Sequence, residues 1–449
     1  MAVSLPKGEE QHVEVESPIL SLQADGAFQW ENIGQVFLQI GHSYLPSIFP
    51  QPTGNKRFED HIDFTAFVAD TLYLQRLLGK KLYIPQESTL RGSIDGHTGL
   101  LNLTAESPHI DYGGEKLRNI RWHAESSLQF LQTSMVFDRI MKGKNVEVGL
   151  DAYTGNDRLM ASMHWNNHRS PSQFGEINLT GEFYKDLEGR QAIHGRISPS
   201  DIVVSDTIWK LHPATIRWHD RELELDTMRI TQGNRYMKIF GHISQPEDTL
   251  RVDIKDLHLE YIFNIINFHT VDFAGEATGH VYLRQLTEKP IIDAHIEVPH
   301  FLFNNGDMGN LAVHGNFGER EKSIYLDADI REKSTGQHTQ VEGTITPGKA
   351  PGSGIELMIK ADKTNLFFLN KFTKSIFTNF QGKGTGWCRV FGPFKQINVE
   401  GDMLVNEANM HVNALGVDYH LAGDSVILRP DNIWIRHATA YDKLGGPDI

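Results

Sequence analysis

The chain holds 449 residues, with 43 Lys and Arg against 57 Asp and Glu, a formal net charge of −14, 39% hydrophobic residues and one cysteine. That apolar content excludes a disordered chain, and the acidic balance argues against nucleic acid, whose affinity comes from clustered Lys and Arg neutralising phosphates. The lone Cys388 excludes an intramolecular disulfide and a four-cysteine zinc site.

The first residues, MAVSLPKGEEQHVEVES, lack the basic stretch and the run of about 7–15 apolar residues that an export signal requires. Nowhere do about 20 apolar residues follow one another as a spanning helix would need. From Tyr44, YLPSIFPQPTGNKRFED breaks the strand pattern, and LYLQRLLGKK from Leu72 has the apolar spacing of a short helix. Residues 1–90 are read as a β segment with that helix.

Beyond it, apolar and polar residues alternate with period two, the mark of strands with one buried and one wet face. TIRWHDRELELDTMRI places Ile216 and Trp218 on one side. RYMKIFGHIS keeps Met237 and Ile239 in phase, and TLRVDIKDLHL does the same with Val252 and Ile254. Turn chemistry separates these runs at Gln232 to Asn234, Gln245 to Asp248 and Asn304 to Asp307. Helices are too few for parallel βαβ units, so the expected fold is all-β, an antiparallel meander.

Two further helical stretches, LEYIFNIINF from Leu259 and LFFLNKFTKSIF from Leu366, mark internal repeats. Each of the three is followed by a glycine-spaced strand opening: Arg91 to Gly96, Gly275 to Gly279, and Gly382 to Gly386. The marks divide the chain into 1–90, 91–258, 259–365 and 366–449. In addition, Trp209 to Ile230 lies over Tyr419 to Ala440 without a gap. Repetition at about 100 residues, built from meanders, predicts an elongated array. The final NIWIRHATAYDKLGGPDI alternates like a strand entering a hairpin and then stops, as expected of a piece of something longer.

Catalytic and metal motifs are missing. His164 and His168 have helical i, i+4 spacing, yet Asn166 and Asn167 between them read as a turn, and His212 and His219 lack a ligand cluster. QGKGTGWC follows a helix and opens a strand, the reverse of a phosphate loop. Cys388 alternates within a strand as a small hydrophobe. Glu222 with Glu224, and Asp327 with Asp329, sit at period two as solvated charge. No enzyme activity, cofactor or metal is expected.

The order of short Leu-rich helix, glycine-spaced opening and Pro-turn strand, with the tail VNALGVDYHLAGDSVILRPDNIWIRHATAYDK, resembles the TamB-type translocation and assembly proteins of Gram-negative bacteria. Tyr419, Gly423, Asp424, Leu428, Ile435 and Asp442 carry the tail's likeness, and the segment from Trp209 to Ile262 resembles the family's central repeat. The likeness covers roughly residues 90–449. It implies an AsmA-like, bridge-forming lipid transfer protein: a sheet folded like a taco, apolar inside, in the periplasm. It implies anchoring in the inner membrane by an N-terminal helix that this chain does not display, and an outer-membrane barrel partner of the TamA or BamA type. The expected cargo is phospholipid acyl chains, on an inner face including Ile216, Trp218, Met237, Ile239, Val252 and Ile254. The alternative is assembly of outer-membrane barrels by β-strand pairing at exposed sheet edges.

Overall fold

The computed structural model describes residues 10–17, 20–52, 57–68, 82–112, 115–141, 144–220, 222–244, 249–261, 272–285, 291–318, 323–346, 353–370, 377–393, 396–421, 423–430, 432–436 and 440–441. They form two compact units, Met1–Gln232 and Gly233–Ile449. Both are built from antiparallel β-sheet, as the period-two pattern predicts.

The first unit opens with β1 (Gln11–Glu16), β2 (Leu20–Gly26), β3 (His61–Val68), β4 (Leu82–Tyr83), β5 (Thr89–Asp95) and β6 (Leu100–Tyr112). Next come β7 (Glu115–Ser126), β8 (Leu131–Met141), β9 (Lys144–Gly155), β10 (Arg158–Asn166) and β11 (Phe174–Lys185). It closes with β12 (Gln191–Ile197), β13 (Ser200–Val204), β14 (Thr207–Leu211), β15 (Ala214–His219) and β16 (Glu222–Gln232). From β5 to β11 each strand pairs with the next. Then β12 and β13 share the flank of β11, and β15 and β14 add to them before both meet β16. Two-residue turns fit the chemistry of their residues: Asn156 with Asp157 and Ser205 with Asp206 all have positive φ, the conformation a tight hairpin needs.

One element has no counterpart among the sequence expectations. Helix α1 (Trp30–Tyr44) follows β2 and lays Val36, Ile40 and Tyr44 against the sheet. Val36 and Ile40 are 1% exposed, in a cluster with Val13, Ala24, Ile62, Ile94, Leu101 and Ala124. Burying such side chains contributes about 1.5–3 kcal/mol each. Asp60 accepts hydrogen bonds from the Gln29 backbone N–H at 2.7 Å and the Asn32 amide at 3.1 Å, holding the helix start. At the other end Tyr44 Oη donates to the Ser127 carbonyl at 2.5 Å, and Ser47 donates to Asp157 through both its hydroxyl and its backbone N–H.

The second unit comprises β17 (Arg235–Ile243), β18 (Thr249–His258), β19 (Phe273–Ala274), β20 (Glu276–Arg284), β21 (Ile291–Phe303), β22 (Gly306–Gly318) and β23 (Ser323–Glu332). It continues with β24 (Gln337–Thr346), β25 (Gly354–Asn365), β26 (Phe377–Gly392), β27 (Asn398–Val412), β28 (Val417–Leu421), β29 (Asp424–Arg429), β30 (Asn432–Arg436) and β31 (Ala440–Tyr441). The expected turn at Asn304 to Asp307 is a two-residue hairpin, with Asn304 and Asn305 at φ 47° and 66°. That at Gln245 to Asp248 lies outside the described residues, as does the expected helix at Leu72. Of the other two, Leu259 to Tyr261 are helical and Phe367–Leu369 forms one 3-10 turn, with their continuations not described.

The repeats are visible in the backbone. β14, β15 and the start of β16 correspond in register to β28, β29 and β30, as the overlay of Trp209 to Ile230 on Tyr419 to Ala440 requires. The interval from Gly279 to Gly386 also separates two pairs of positive-φ bulge residues, Asp256 from Lys363 and His300 from Glu407. At each bulge the register slips and the strand bends. Beyond them the chain feeds Leu257 and Leu259, or Leu366, Ala408 and Met410, into buried positions.

Candidate functional site

Registers in the second unit align the apolar positions into unbroken rows. One runs Ile239, Val252, Val281, Ala294, Gly315, Leu326, Gly343, Leu357, Val390, Val399, each the direct partner of the one before. The neighbouring row runs Met237, Ile254, Gly279, Ile296, Val313, Ala328, Val341, Ile359, Cys388, Gly401, Leu428. Neither row contains a charged or hydrogen-bonding side chain other than the thiol. Burial pushes the Cys388 pKa up to about 11, so the thiol stays neutral in this apolar strip.

The opposite face is polar at the same rungs apart from Met358: Lys238, Asp253, His280, His295, His314, Asp327, Glu342, Met358, Arg389 and Glu400 follow one another across the strands. Arg389 donates to Glu356 at 2.5 Å and Glu400 at 3.0 Å, tying three neighbouring strands. Asp329 accepts from His338 and Arg331, which outweigh burial and hold its carboxyl below the usual range.

The first unit repeats the design. A row runs Val13, Ala24, Phe64, Gly92, Leu103, Ala124, Thr133, Ala152, Ala161, Leu179, Ile197, Ala214. Next to it stand Trp122, Met135, Leu150, Met163 and Ile177. Under α1 this face is sealed, with Val13 at 2% and Ala24 at 0% exposure. Away from the helix it is not, for Leu150 and Met163 keep 36% and 38%.

Of the six residues expected to face the apolar interior, Met237 pairs with Ile254 and Ile239 with Val252 on β17 and β18. Ile216 and Trp218 lie on β15 in the first unit, paired with Leu225 and Leu223 on one side and Gly195 and Ile193 on the other. Ile254 is buried; the other five are half-buried, neither wet nor sealed. Sequence reasoning singled out Gly279 as a strand opening but missed Gly315, Gly343 and Gly401, which complete the rows, and the helix that covers the first rungs of the first unit's row. For the helix the signal was available, since Ile33, Val36, Phe37, Ile40 and Tyr44 recur at three and four residues.

The discounted histidines stay apart. His164 faces Asp151 at 3.7 Å, His168 faces Glu147 at 3.6 Å, and His212 bonds Thr231 at 2.9 Å. His219 and Arg190 both bond Asp186 and hold its carboxyl well below the usual range. Among the described residues no group of three or more His, Cys, Asp or Glu side chains is arranged to enclose a metal ion, and no helix is long and apolar enough to cross a membrane. A shallow hollow of about 380 Å³ on the first strands is lined mostly by polar positions, Asp25, Asp63, Arg91 and Asn102 among them, with Phe64 and Gly92 of the apolar row also in its lining. No family model, curated protein or solved structure matches the chain.

Proposed function

We propose that the apolar face carries phospholipid acyl chains, and that the protein acts without chemistry as a periplasmic lipid conduit between the membranes of a Gram-negative envelope, in the manner of the TamB-type proteins its sequence resembles. The observation that supports this reading is the pair of uncharged rows crossing the second unit while most of the expected positions on them stay half-buried. Each acyl CH₂ removed from water there contributes about 0.8 kcal/mol, with no directional bond to break as a chain slides from rung to rung. A face built for a fixed protein core would instead be packed to the density of α1 on its strands.

The test is native mass spectrometry of the chain purified from a lysate containing bacterial membranes, followed by lipid extraction. The expected result is one or more phospholipids per chain, lost when Ile239 and Val252 are both replaced by Asp. A chain of lipid-free mass would overturn the reading. The assembly-factor alternative would then lead, because among the described residues β1 pairs with β2 alone and leaves its other edge open to an added strand. In that case Pro substitutions in β1, rather than Asp on the apolar rows, would abolish function.

A further inference from the structure

On the polar face of the second unit, three histidines from three successive strands occupy one row: His280 on β20, His295 on β21 and His314 on β22. Their rings follow one another, with centroids 5.7 Å apart for the first two and 4.3 Å for the second pair. His295 Nδ1 lies 3.0 Å from His314 Nε2 and 3.4 Å from its Nδ1. Two ring nitrogens at 3.0 Å form one N–H···N hydrogen bond, in which one nitrogen donates the shared proton and the other offers its lone pair. Two imidazole nitrogens that each sit about 2.0–2.1 Å from one ion, at angles of about 90–109°, are themselves about 2.9–3.4 Å apart. The 3.0 Å separation of His295 Nδ1 and His314 Nε2 falls in that interval.

A second feature points the same way. The other nitrogen of His295, Nε2, faces the Glu297 carboxylate at 3.6 Å. A carboxylate hydrogen-bonded to the distal nitrogen fixes the tautomer and raises the basicity of a metal-bound imidazole, and Glu297 is the carboxylate placed to close to that distance. The row is closed at both ends by acids, Asp253 opposite His280 and Asp327 opposite His314. The nearby cation Arg251 is engaged by Asp253 at 2.6 Å. His314 is exposed and His295 half-buried, so an ion reaches them from solvent without any movement of the sheet.

We propose that His295 and His314 form a two-histidine site for a borderline divalent cation of the zinc, nickel and copper group, displacing the shared proton and keeping water in its remaining positions. Such ions favour imidazole, whereas Mg²⁺ and Ca²⁺ favour oxygen ligands. The site is independent of the apolar face and stands or falls without it.

The test is calorimetric titration of the full chain with Zn²⁺ alone at pH 7.4 and at pH 5.5. With 22 histidines in the chain, the reading is the difference between variants. We expect His295→Ala and His314→Ala each to weaken the tightest site at least tenfold, the double variant to do no worse than either, and Glu297→Gln to weaken it about tenfold. At pH 5.5 the wild type should resemble the single variants, since protonated rings do not ligate. His338→Ala, a surface histidine bonded to Asp329, should leave the titration unchanged. Superimposable curves for wild type and either single variant, independent losses that add in the double, or an equal loss in His338→Ala would each overturn the proposal. Should an Ala variant lose its strand signal in circular dichroism, His314→Gln supplies the same comparison with a side chain of similar size.

Discussion

Gly343 shows how a single residue without a side chain permits the apolar rows. Its φ is +153°, and a Cβ built on it would stand 2.0 Å from the Glu356 carbonyl oxygen and 2.8 Å from the Leu357 Cα. Both the conformation and the approach of the next strand demand glycine. Gly315, two strands away in the same row, has ordinary φ and open space, its nearest neighbours 3.9 Å off. Gly343→Ala should therefore cost at least about 1–3 kcal/mol, read as a lower urea midpoint, while Gly315→Ala should leave the midpoint unchanged or raise it slightly. Equal midpoints for the two variants would mean that the backbone at Gly343 relaxes freely. Neither role is visible in the sequence, where both are simply a glycine in a strand. Which one is required follows from how closely the partner strand approaches. The His295–His314 pair was hidden for a related reason, because its nitrogens meet across strands and their separation in sequence matches no ligand motif.

At the scale of elements, the strands were read from the sequence and the principal helix was overlooked. Alternation in TIRWHDRELELDTMRI located β15 and β16 with Ile216 opposite Leu225, because a half-buried strand enforces period two on whatever residues compose it. Helix α1 carries its own period in Ile33, Val36, Phe37, Ile40 and Tyr44, yet two glycines, Gly34 and Gly41, lower its intrinsic propensity. Tertiary packing compensates. Gly41 lies against the Phe49 ring, where a Cβ would come within 2.9 Å, so this glycine allows the chain after the helix to fold back on it. Ile40→Ala should destabilise the first unit by about 2–5 kcal/mol through the lost side chain and the cavity it leaves. Phe37→Ala, at a position 41% exposed on the same helix, should cost well under half of that, with thermal melting as the readout.

For the whole molecule, what matters is that within each unit the described strands pair only with strands at most three places away in sequence, and the buried clusters are separate. One gathers Val13, Ala24, Val36, Ile40, Ile62, Ile94, Leu101 and others beneath α1; another gathers Leu366, Phe380, Val405, Ala408, Met410 and Leu421 in the second unit. The interval from Gly279 to Gly386 that period counting found recurs in the bulges at Asp256 and Lys363 and at His300 and Glu407, where the same backbone device bends each repeat. A chain stabilised in this way behaves as a sum of local terms rather than one cooperative core. Hydrogen exchange of the Ile40→Ala variant tests the point. Amides of β1 to β3 and β5 to β7 should exchange faster, whereas those of β21 to β26 should keep the protection of the wild type. Uniform loss of protection along the chain would mean that the rungs stand or fall together. The apolar rows would then be maintained by a single global core, and the acyl chains proposed to occupy their face could enter only by opening that core.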